Sequence, residues 1–193
     1  LMGQKAIAAA KAVDYSTVGT IEFLLDRDKK FYFLEMNTRI QVEHPITEEV
    51  TGIDLLREQI QMAEGKKLSL AQKDVQIRGH SIECRITAED PATFAPSPGK
   101  ITLFHAPMGK GVRLESTACS DYYVPPYYDS MLSKLIVWDE TRDLAIRRMS
   151  QALSEFVISG VKTIIPLHQR ILEDPDFRAG RYDTSYLQNF VKT

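Results

Sequence analysis

Polar side chains recur at every second position of the stretch EMNTRIQVE, which directly follows an apolar run. They are Glu35, Asn37, Arg39, Gln41 and Glu43. Because side chains alternate between the two faces of an extended backbone, all five would project from one face. Carboxylate and amide oxygens suit a hard divalent cation, and a guanidinium suits a planar anion. The pattern therefore predicts a polar ridge, which is either the floor of an active site or a solvated strand edge.

The segment before this ridge predicts a β-hairpin. Two aromatic and aliphatic runs, TIEFLL and KFYFL, flank a charged turn, and this is the pattern of two antiparallel strands. If the turn is centred just after Asp28, Asp26 faces Phe31 and Glu22 faces Glu35. Two carboxylates would then lie directly across from each other.

A divalent cation would relieve this opposition of charges. Directly opposed residues have Cβ atoms about 4.5–5.5 Å apart, and like charges there destabilise a strand pair. Mg²⁺ binds carboxylate oxygens together with substrate phosphates, so Glu22 and Glu35 are candidate metal ligands. Asn37, on the same face, would add a neutral oxygen ligand. A one-residue slip of the register would instead leave Glu22 on a solvent face.

The composition is ordinary for a globular protein of 193 residues, with 44% hydrophobic and 26% charged residues. The formal net charge of -2 does not resemble the charge of a nucleic-acid-binding surface. Cys84 and Cys119 make no disulfide framework, so we expect a reducing, cytoplasmic location. No apolar run approaches the ~18 residues of a membrane span, so no membrane partner is expected.

Hydrophobic periodicity and turn residues predict one α+β body with a mostly antiparallel sheet flanked by helices. Helices are expected over residues 1–13, from Asp54 to Gly65 and after Thr141. Short strand candidates begin near Arg78 and are separated by Pro and Gly turns. They are HSIECRIT, KITLFHA, GVRLES and MLSKLIVW. Two further short helices are expected around PLHQRILED and DTSYLQNF.

Two other groups of residues are interpreted as structural. Arg142, Arg147 and Arg148, on the helix after Thr141, are most simply a solvated surface, with a docking surface for a carrier protein as the alternative. Cys84 precedes an arginine, but the sequence places no histidine to activate it, so we expect an inert thiol.

Four longer blocks carry a resemblance to a known family. They are GTIEFLLDRDKKFYFLEMNTRIQVEHPITEEVTGIDLL, RGHSIECRITAEDP, FAPSPGKI and VPPYYDSMLSKLI. Together they resemble the carboxyl-terminal half of biotin carboxylase, an ATP-grasp ligase. RGHSIECRITAEDP is most similar to the corresponding component of bacterial acetyl-CoA carboxylase, and propionyl-CoA, methylcrotonyl-CoA and pyruvate carboxylases are near relatives.

The resemblance also implies a domain organisation. Residues 1–75 would be the carboxyl-terminal part of the ATP-grasp domain, and residues 76–193 the biotin carboxylase C-terminal domain, packed as one body. The family's amino-terminal domain and its mobile lid have no counterpart in this sequence. Because ATP is clamped between that lid and the hairpin, the resemblance implies that this chain alone is inactive, or at best binds metal and nucleotide weakly.

The resemblance implies a reaction, its cofactors and its partners. ATP phosphorylates bicarbonate to carboxyphosphate, whose breakdown supplies the carbon dioxide that carboxylates biotin on the biotin carboxyl carrier protein. Two Mg²⁺ or Mn²⁺ ions bridge the ATP phosphates. Partners would include a second copy of the chain in a homodimer and the carboxyltransferase of a fatty acid biosynthesis complex.

The family's metal ligands fall on positions of the hairpin. Glu22 and Glu35 would hold the ions and, through them, ATP, with Asn37 as a further metal ligand. Neutralising the transferring phosphoryl group is the main contribution that a protein makes to such a transition state.

The remaining family roles fall on five positions. Glu43 matches the general base that deprotonates bicarbonate, and Arg39 matches the arginine that stabilises carboxyphosphate and the biotin enolate. Gln41 and Val42, together with Arg39, would bind bicarbonate. Arg85, in ECRI, matches the arginine beside the biotin carbonyl.

Two alternatives remain beside this interpretation. Another ATP-grasp ligase, such as a relative of carbamoyl-phosphate synthetase, would share the paired carboxylates but would not be expected to carry RIQVEHP. A non-catalytic assembly module of a carboxylase complex would keep the fold while its site residues were relics.

Overall fold

The computed structural model describes residues 1–190, without the side chain of Asn189. The chain divides into two compact units, Leu1–Ile77 and Arg78–Thr193. Its fold is α+β with antiparallel sheets, as predicted. Among the helices of residues 1–190, none is both long and apolar enough to cross a membrane.

The first unit is a β-hairpin with helices before and after it. Its elements are α1 (Met2–Ala12), β1 (Thr20–Leu25), β2 (Phe31–Asn37), α2 (His44–Thr51), α3 (Leu55–Ala63) and a 3₁₀ turn (Gln72–Asp74). Asp54 begins α3 by accepting the backbone N–H of Arg57 at 2.8 Å, which confirms the predicted cap.

The hairpin register agrees with the prediction at the carboxylates and differs from it near the turn. Glu22 pairs with Glu35, as expected. Phe31, however, pairs with Leu25, so the predicted pairing of Asp26 with Phe31 is wrong. Two compensating irregularities account for this outcome.

The first irregularity is the turn, which is one residue longer than a two-residue turn. The N–H of Lys29 donates to the carbonyl of Asp26 at 3.0 Å, and Lys29 has a left-handed φ of 61°. The second is a β-bulge, because Phe23 pairs with Phe33 while Glu22 pairs with Glu35. Leu34 is thus the extra residue, and the bulge restores the register that opposes the two carboxylates.

The second unit is built on an antiparallel sheet and two two-stranded pairs. Its strands are β3 (His80–Thr87), β4 (Gly99–Lys100), β5 (Leu103–His105), β6 (Val112–Ser116), β7 (Tyr123–Val124), β8 (Met131–Asp139) and β9 (Val157–Ser159). Its helices are α4 (Arg142–Glu155), α5 (Ile165–Glu173), α6 (Pro175–Arg178) and α7 (Tyr186–Phe190). The sheet order is β3-β8-β6, and the pairs are β4-β7 and β5-β9.

The two faces of this sheet differ in chemistry. Cys84, Leu135 and Leu114 form one row across the three strands, and they pack in the core with Ile146 and Met149 of α4. The neighbouring row, on the opposite face, consists of Arg85, Lys134 and Glu115. Apolar burial therefore fixes β3 from one side, and this places Arg85 on the other.

The arginines of α4 are only partly a solvated surface, so that prediction is wrong for two of them. Arg142 donates to the carbonyl of Phe177 at 2.8 Å and lies 5.0 Å from the centre of its ring. Arg148 donates from Nε and Nη2 to Oδ2 of Asp139, at 2.9 and 2.7 Å. Arg147 is exposed. The sequence pattern marks the helix face, but it does not show which acceptors the tertiary fold brings to that face.

The two cysteines should differ in reactivity. Cys84 is 6% exposed, and burial, followed by the neighbouring Glu83 carboxylate, raises its pKa to about 12. Cys119 is exposed. Because the thiolate is the reactive form, a short treatment with iodoacetamide at pH 8 should label Cys119 and spare Cys84, as read by peptide mass spectrometry. Labelling in guanidinium, the control, should modify both, and equal labelling of both in the native protein would contradict the buried position of Cys84.

Candidate active site

The paired carboxylates of the hairpin are bridged by one amide. Asn37, at the end of β2, donates from Nδ2 to Oε1 of Glu22 at 2.9 Å and to Oε1 of Glu35 at 3.3 Å. Glu22 lies on β1 and Glu35 on β2, so the strand pairing brings the three side chains together. The like charges are thus held against a single partial positive charge.

Two further side chains join this cluster from the loop after β2. Gln41 donates from Nε2 to the same Oε1 of Glu22 at 3.2 Å. Arg39 donates from Nη2 to Oδ1 of Asn37 at 3.4 Å, and from Nη1 to the carbonyl of Ile40 at 3.2 Å. The structure therefore brings Glu22, Glu35, Asn37, Arg39 and Gln41 into one hydrogen-bonded group.

The polar ridge is not one continuous strand, as the alternation had suggested. β2 ends at Asn37, residues 38–43 form a loop and turn, and Glu43 is the residue before α2. The turn is closed by His44, which donates from its backbone N–H to the carbonyl of Gln41 at 3.2 Å. The positions of residues 38–43 are therefore set by a loop and turn, and not by alternation along one strand.

His44 also stabilises this loop through its ring. Its Nδ1 lies 2.7 Å from the carbonyl oxygen of Gln41, and because a carbonyl only accepts, Nδ1 must carry the proton. Glu43 is exposed, its backbone carbonyl accepts the N–H of Ile46 at 3.2 Å, and its side chain makes no capping hydrogen bond to α2. The carboxylate of Glu43 thus lies at the amino-terminal end of α2, where the helix dipole is positive.

Two residues just before β1, which the sequence interpretation did not single out, lie close to the end of β2. A Cβ on Gly19 would lie 2.9 Å from the ring of Tyr15 and 3.0 Å from the carbonyl oxygen of Asn37. Tyr15 donates its hydroxyl proton to the carbonyl of Val18 at 2.7 Å. Any larger residue at Gly19 would therefore require the Tyr15 ring or the Asn37 backbone to shift, and the only sequence signal is a glycine directly before a strand.

The donor set of the hairpin fits a hard divalent cation. Two carboxylates and one amide oxygen are the ligands that Mg²⁺ and Mn²⁺ prefer. Nδ2 of Asn37 donates to both carboxylates, and so it lies where a cation would lie between them. A rotation of the Asn37 amide by about half a turn would exchange this donor for Oδ1, an acceptor. Glu22, Glu35 and Asn37 could therefore hold the ion.

Arg85 belongs to the second unit. It lies on β3 directly opposite Lys134, and its Nε is 4.0 Å from Oε1 of Glu83. The side chain of Arg85 is 50% exposed, whereas that of Glu83 is 5% exposed. A guanidinium exposed to this extent can contact an anionic or carbonyl-bearing ligand.

Comparison with known proteins identifies two matching family models. Residues 83–189 match the biotin carboxylase C-terminal domain. Residues 1–71 match the ATP-binding domain of the carbamoyl-phosphate synthase L chain. The first match alone covers more than half of the chain.

Individual relatives agree with these models. The chain is 56% identical over 192 residues to a biotin carboxylase of Nostoc, covering 99% of this chain and 43% of the relative. It is 55% identical over 190 residues to a pyruvate carboxylase component of Methanothermobacter thermautotrophicus, covering 98% of this chain and 38% of the relative. The chain thus spans about two fifths of the length of these relatives.

Solved structures of relatives share the fold. A biotin carboxylase of Campylobacter jejuni, described as a beta-gamma-ATP complex, has a TM-score of 0.93 at 53% identity and covers 96% of this chain and 42% of its own. The biotin carboxylase domain dimer of Hydrogenobacter thermophilus 2-oxoglutarate carboxylase, with MgADP, ADP and bicarbonate, has a TM-score of 0.95 at 48% identity, over 97% of this chain and 42% of its own.

Neutralising one carboxylate of the hairpin should separate stability from cation binding. Without divalent ions, Glu35→Gln should stabilise the full-length protein by about 0.2–1 kcal/mol, because it removes a like-charge pair. With Mn²⁺ and ATP, the wild type should gain more thermal stability than the variant, because the variant binds the ion less tightly. Thermal unfolding in both conditions checks this.

Asp28→Asn is the matched control, since Asp28 is an exposed carboxylate at the hairpin turn. This control should keep the wild-type response to Mn²⁺ and ATP. An equal gain for Glu35→Gln and the wild type would exclude Glu35 as a metal ligand.

Proposed function

Since this chain belongs to the biotin carboxylase family, we propose that it is the part of a longer enzyme that carries the metal and bicarbonate chemistry of ATP-dependent biotin carboxylation. The observation that carries the proposal is the hydrogen-bonded group at the end of the hairpin. It combines two opposed carboxylates, an amide and a guanidinium within two connected elements. Such a group can neutralise phosphates at one end and bind a small planar anion at the other.

The first part of the proposal concerns nucleotide and metal. Glu22 and Glu35, helped by Asn37, would hold Mg²⁺ or Mn²⁺ at two sites, together with the phosphates of ATP. When bound, these ions supply charge neutralisation for transfer of the γ-phosphoryl group. The binding of MgADP by the Hydrogenobacter relative supports this part.

The second part concerns bicarbonate. Arg39 and the backbone around Gln41 and Val42 bind the anion, and Glu43 removes its proton. The bicarbonate oxygen can then attack the γ-phosphorus of ATP, and ADP leaves as the bond between the γ-phosphorus and the bridging oxygen breaks. The hydrogen bond of Gln41 to Glu22 links the bicarbonate loop to the metal ligands, which supports a short distance between the two reactants. The same Hydrogenobacter relative was solved with bicarbonate.

The third part concerns biotin. Arg85, half exposed on β3, binds the ureido carbonyl of biotin and stabilises the enolate that forms when the ureido nitrogen loses its proton. Arg39 stabilises the same enolate and carboxyphosphate. A guanidinium group suits this task, because the negative charge of the anion is spread over a planar group.

The proposal extends to partners and location. The biotin carboxyl carrier protein presents biotin, a second copy of the chain completes a homodimer, and a carboxyltransferase consumes the carboxybiotin. The dimer in the Hydrogenobacter structure supports the homodimer. Biotin carboxylase and pyruvate carboxylase relatives match equally well, so biotin carboxylation is the step that the proposal assigns. The two free cysteines support a cytoplasmic location.

Glu43→Gln tests the chemistry most simply. In the full-length protein with Mg²⁺ and ATP, the substitution should lower the rate of bicarbonate- and biotin-dependent ADP release by about 10²- to 10⁴-fold, because a general base contributes that much. Glu49→Gln, on the following helix α2, is the control and should retain most of the rate.

Two results would contradict the proposal. Glu43→Gln with wild-type turnover would exclude Glu43 as the base and favour the non-catalytic assembly module. ADP release that ignores bicarbonate and biotin would favour another ATP-grasp ligase.

A further inference from the structure

The segment around α5 supports one edge of β3. Within residues 78–190, β8 is the only strand paired with β3. On the other edge, Nε2 of His168 lies 2.9 Å from the carbonyl oxygen of Arg85. The N–H of Ile164, directly before α5, donates to the carbonyl of Thr87 at 3.3 Å. Because carbonyls two residues apart point to the same edge of a strand, these two contacts form one short seam.

This seam lies where the ladder between β3 and β8 is interrupted. Ile86 pairs with Ser133, but Thr87 pairs with Met131, so Leu132 is an extra residue on β8. A bulge disrupts the local ladder and bends the strand. The backbone just after Arg85 therefore depends more than the rest of β3 on support from the opposite edge.

The charged neighbours of Arg85 make the direction of its backbone important. Arg85 lies opposite Lys134 on the same face of the sheet, and like charges in that arrangement repel. The Lys134 ammonium pairs with Glu115, and the Glu83 carboxylate lies 4.0 Å from Nε of Arg85. A small rotation of the Arg85 peptide would change how far its guanidinium stands from Lys134.

The ring of His168 is suited to a fixed donor role. A carbonyl oxygen only accepts, so Nε2 of His168 must carry the proton in this contact. Burial lowers the pKa of His168, and the hydrogen bond to Arg85 opposes that shift only in part. The ring is thus neutral near pH 7, with its single N–H directed at Arg85.

We propose that His168 is a positioning residue for biotin, which fixes the peptide after Arg85 and so directs the Arg85 guanidinium. The inference rests on the proposed role of Arg85 in binding biotin. His168 does not touch the substrate in this proposal, and it acts only through the backbone of Arg85.

The test compares two amides at position 168 in the full-length protein. The amide nitrogen of glutamine is as many bonds from Cα as Nε2 of histidine, whereas that of asparagine is one bond closer. His168→Gln can therefore keep the donor, and His168→Asn and His168→Leu cannot. Gln169→Leu, the neighbouring position on α5, controls for a change in the helix surface.

The readout is steady-state ADP release with free biotin, ATP or bicarbonate varied in turn. His168→Leu and His168→Asn should raise the KM for biotin by about three- to tenfold, the effect of one net hydrogen bond. The KM for ATP should stay within about twofold, because the nucleotide site is not involved. His168→Gln and Gln169→Leu should behave as the wild type.

A double-mutant cycle with Arg85→Ala separates positioning from general structural damage. If His168 acts through Arg85, His168→Leu should have no further effect on the KM for biotin once Arg85 is alanine. Independent, additive effects would overturn the proposal. So would equal effects of His168→Gln and His168→Leu, or equal changes in the KM for biotin and for ATP.

The cycle also separates this inference from the proposed function. If Arg85→Ala raises the KM for biotin but His168→Leu does not, the positioning role of His168 is wrong and the role of Arg85 stands. If Arg85→Ala leaves the KM for biotin unchanged, the proposed role of Arg85 is wrong, and the positioning role falls with it.

Discussion

The opposition of Glu22 and Glu35 across the hairpin is the constraint on which the first unit depends. Two carboxylates in directly paired positions repel each other, and the fold keeps them there with a bulge at Leu34 that restores their register. The amide of Asn37 reduces the repulsion by donating to both. The pairing of these two carboxylates destabilises the hairpin when no cation is bound. The same pairing would bind a cation, so the structure and the proposed function are coupled.

The pairing of Glu22 with Glu35 was predicted correctly from the sequence, although the predicted turn was one residue too short. Alternation and a charged turn are visible in the residues, so the hairpin and the pair Glu22 and Glu35 could be found. The left-handed Lys29 could not, because that conformation usually signals itself by glycine or asparagine. The longer turn shifts the register by one residue, and the bulge at Leu34 shifts it back. The predicted pairing of Glu22 with Glu35 is therefore correct.

Contacts between distant parts of the chain could not be predicted from the sequence. The pairing of Arg148 with Asp139, and the contact of His168 with the carbonyl of Arg85, depend on how helices pack on the sheet. Local patterns placed these side chains on the correct elements but not beside the correct partners. The chemical roles of Arg39, Glu43 and Arg85 came from resemblance to a family, since charge and spacing alone are equally compatible with a solvated edge.

A crystal structure of the full-length protein with Mn²⁺ and a non-hydrolysable ATP analogue tests the central claim most directly, because the anomalous signal of manganese locates the ion. We expect a Mn²⁺ peak at about 2.0–2.6 Å from carboxylate oxygens of both Glu22 and Glu35, with Asn37 turned so that its oxygen faces the ion. Manganese bound to the phosphates without either carboxylate, with the Asn37 amide still between Glu22 and Glu35, would contradict the claim.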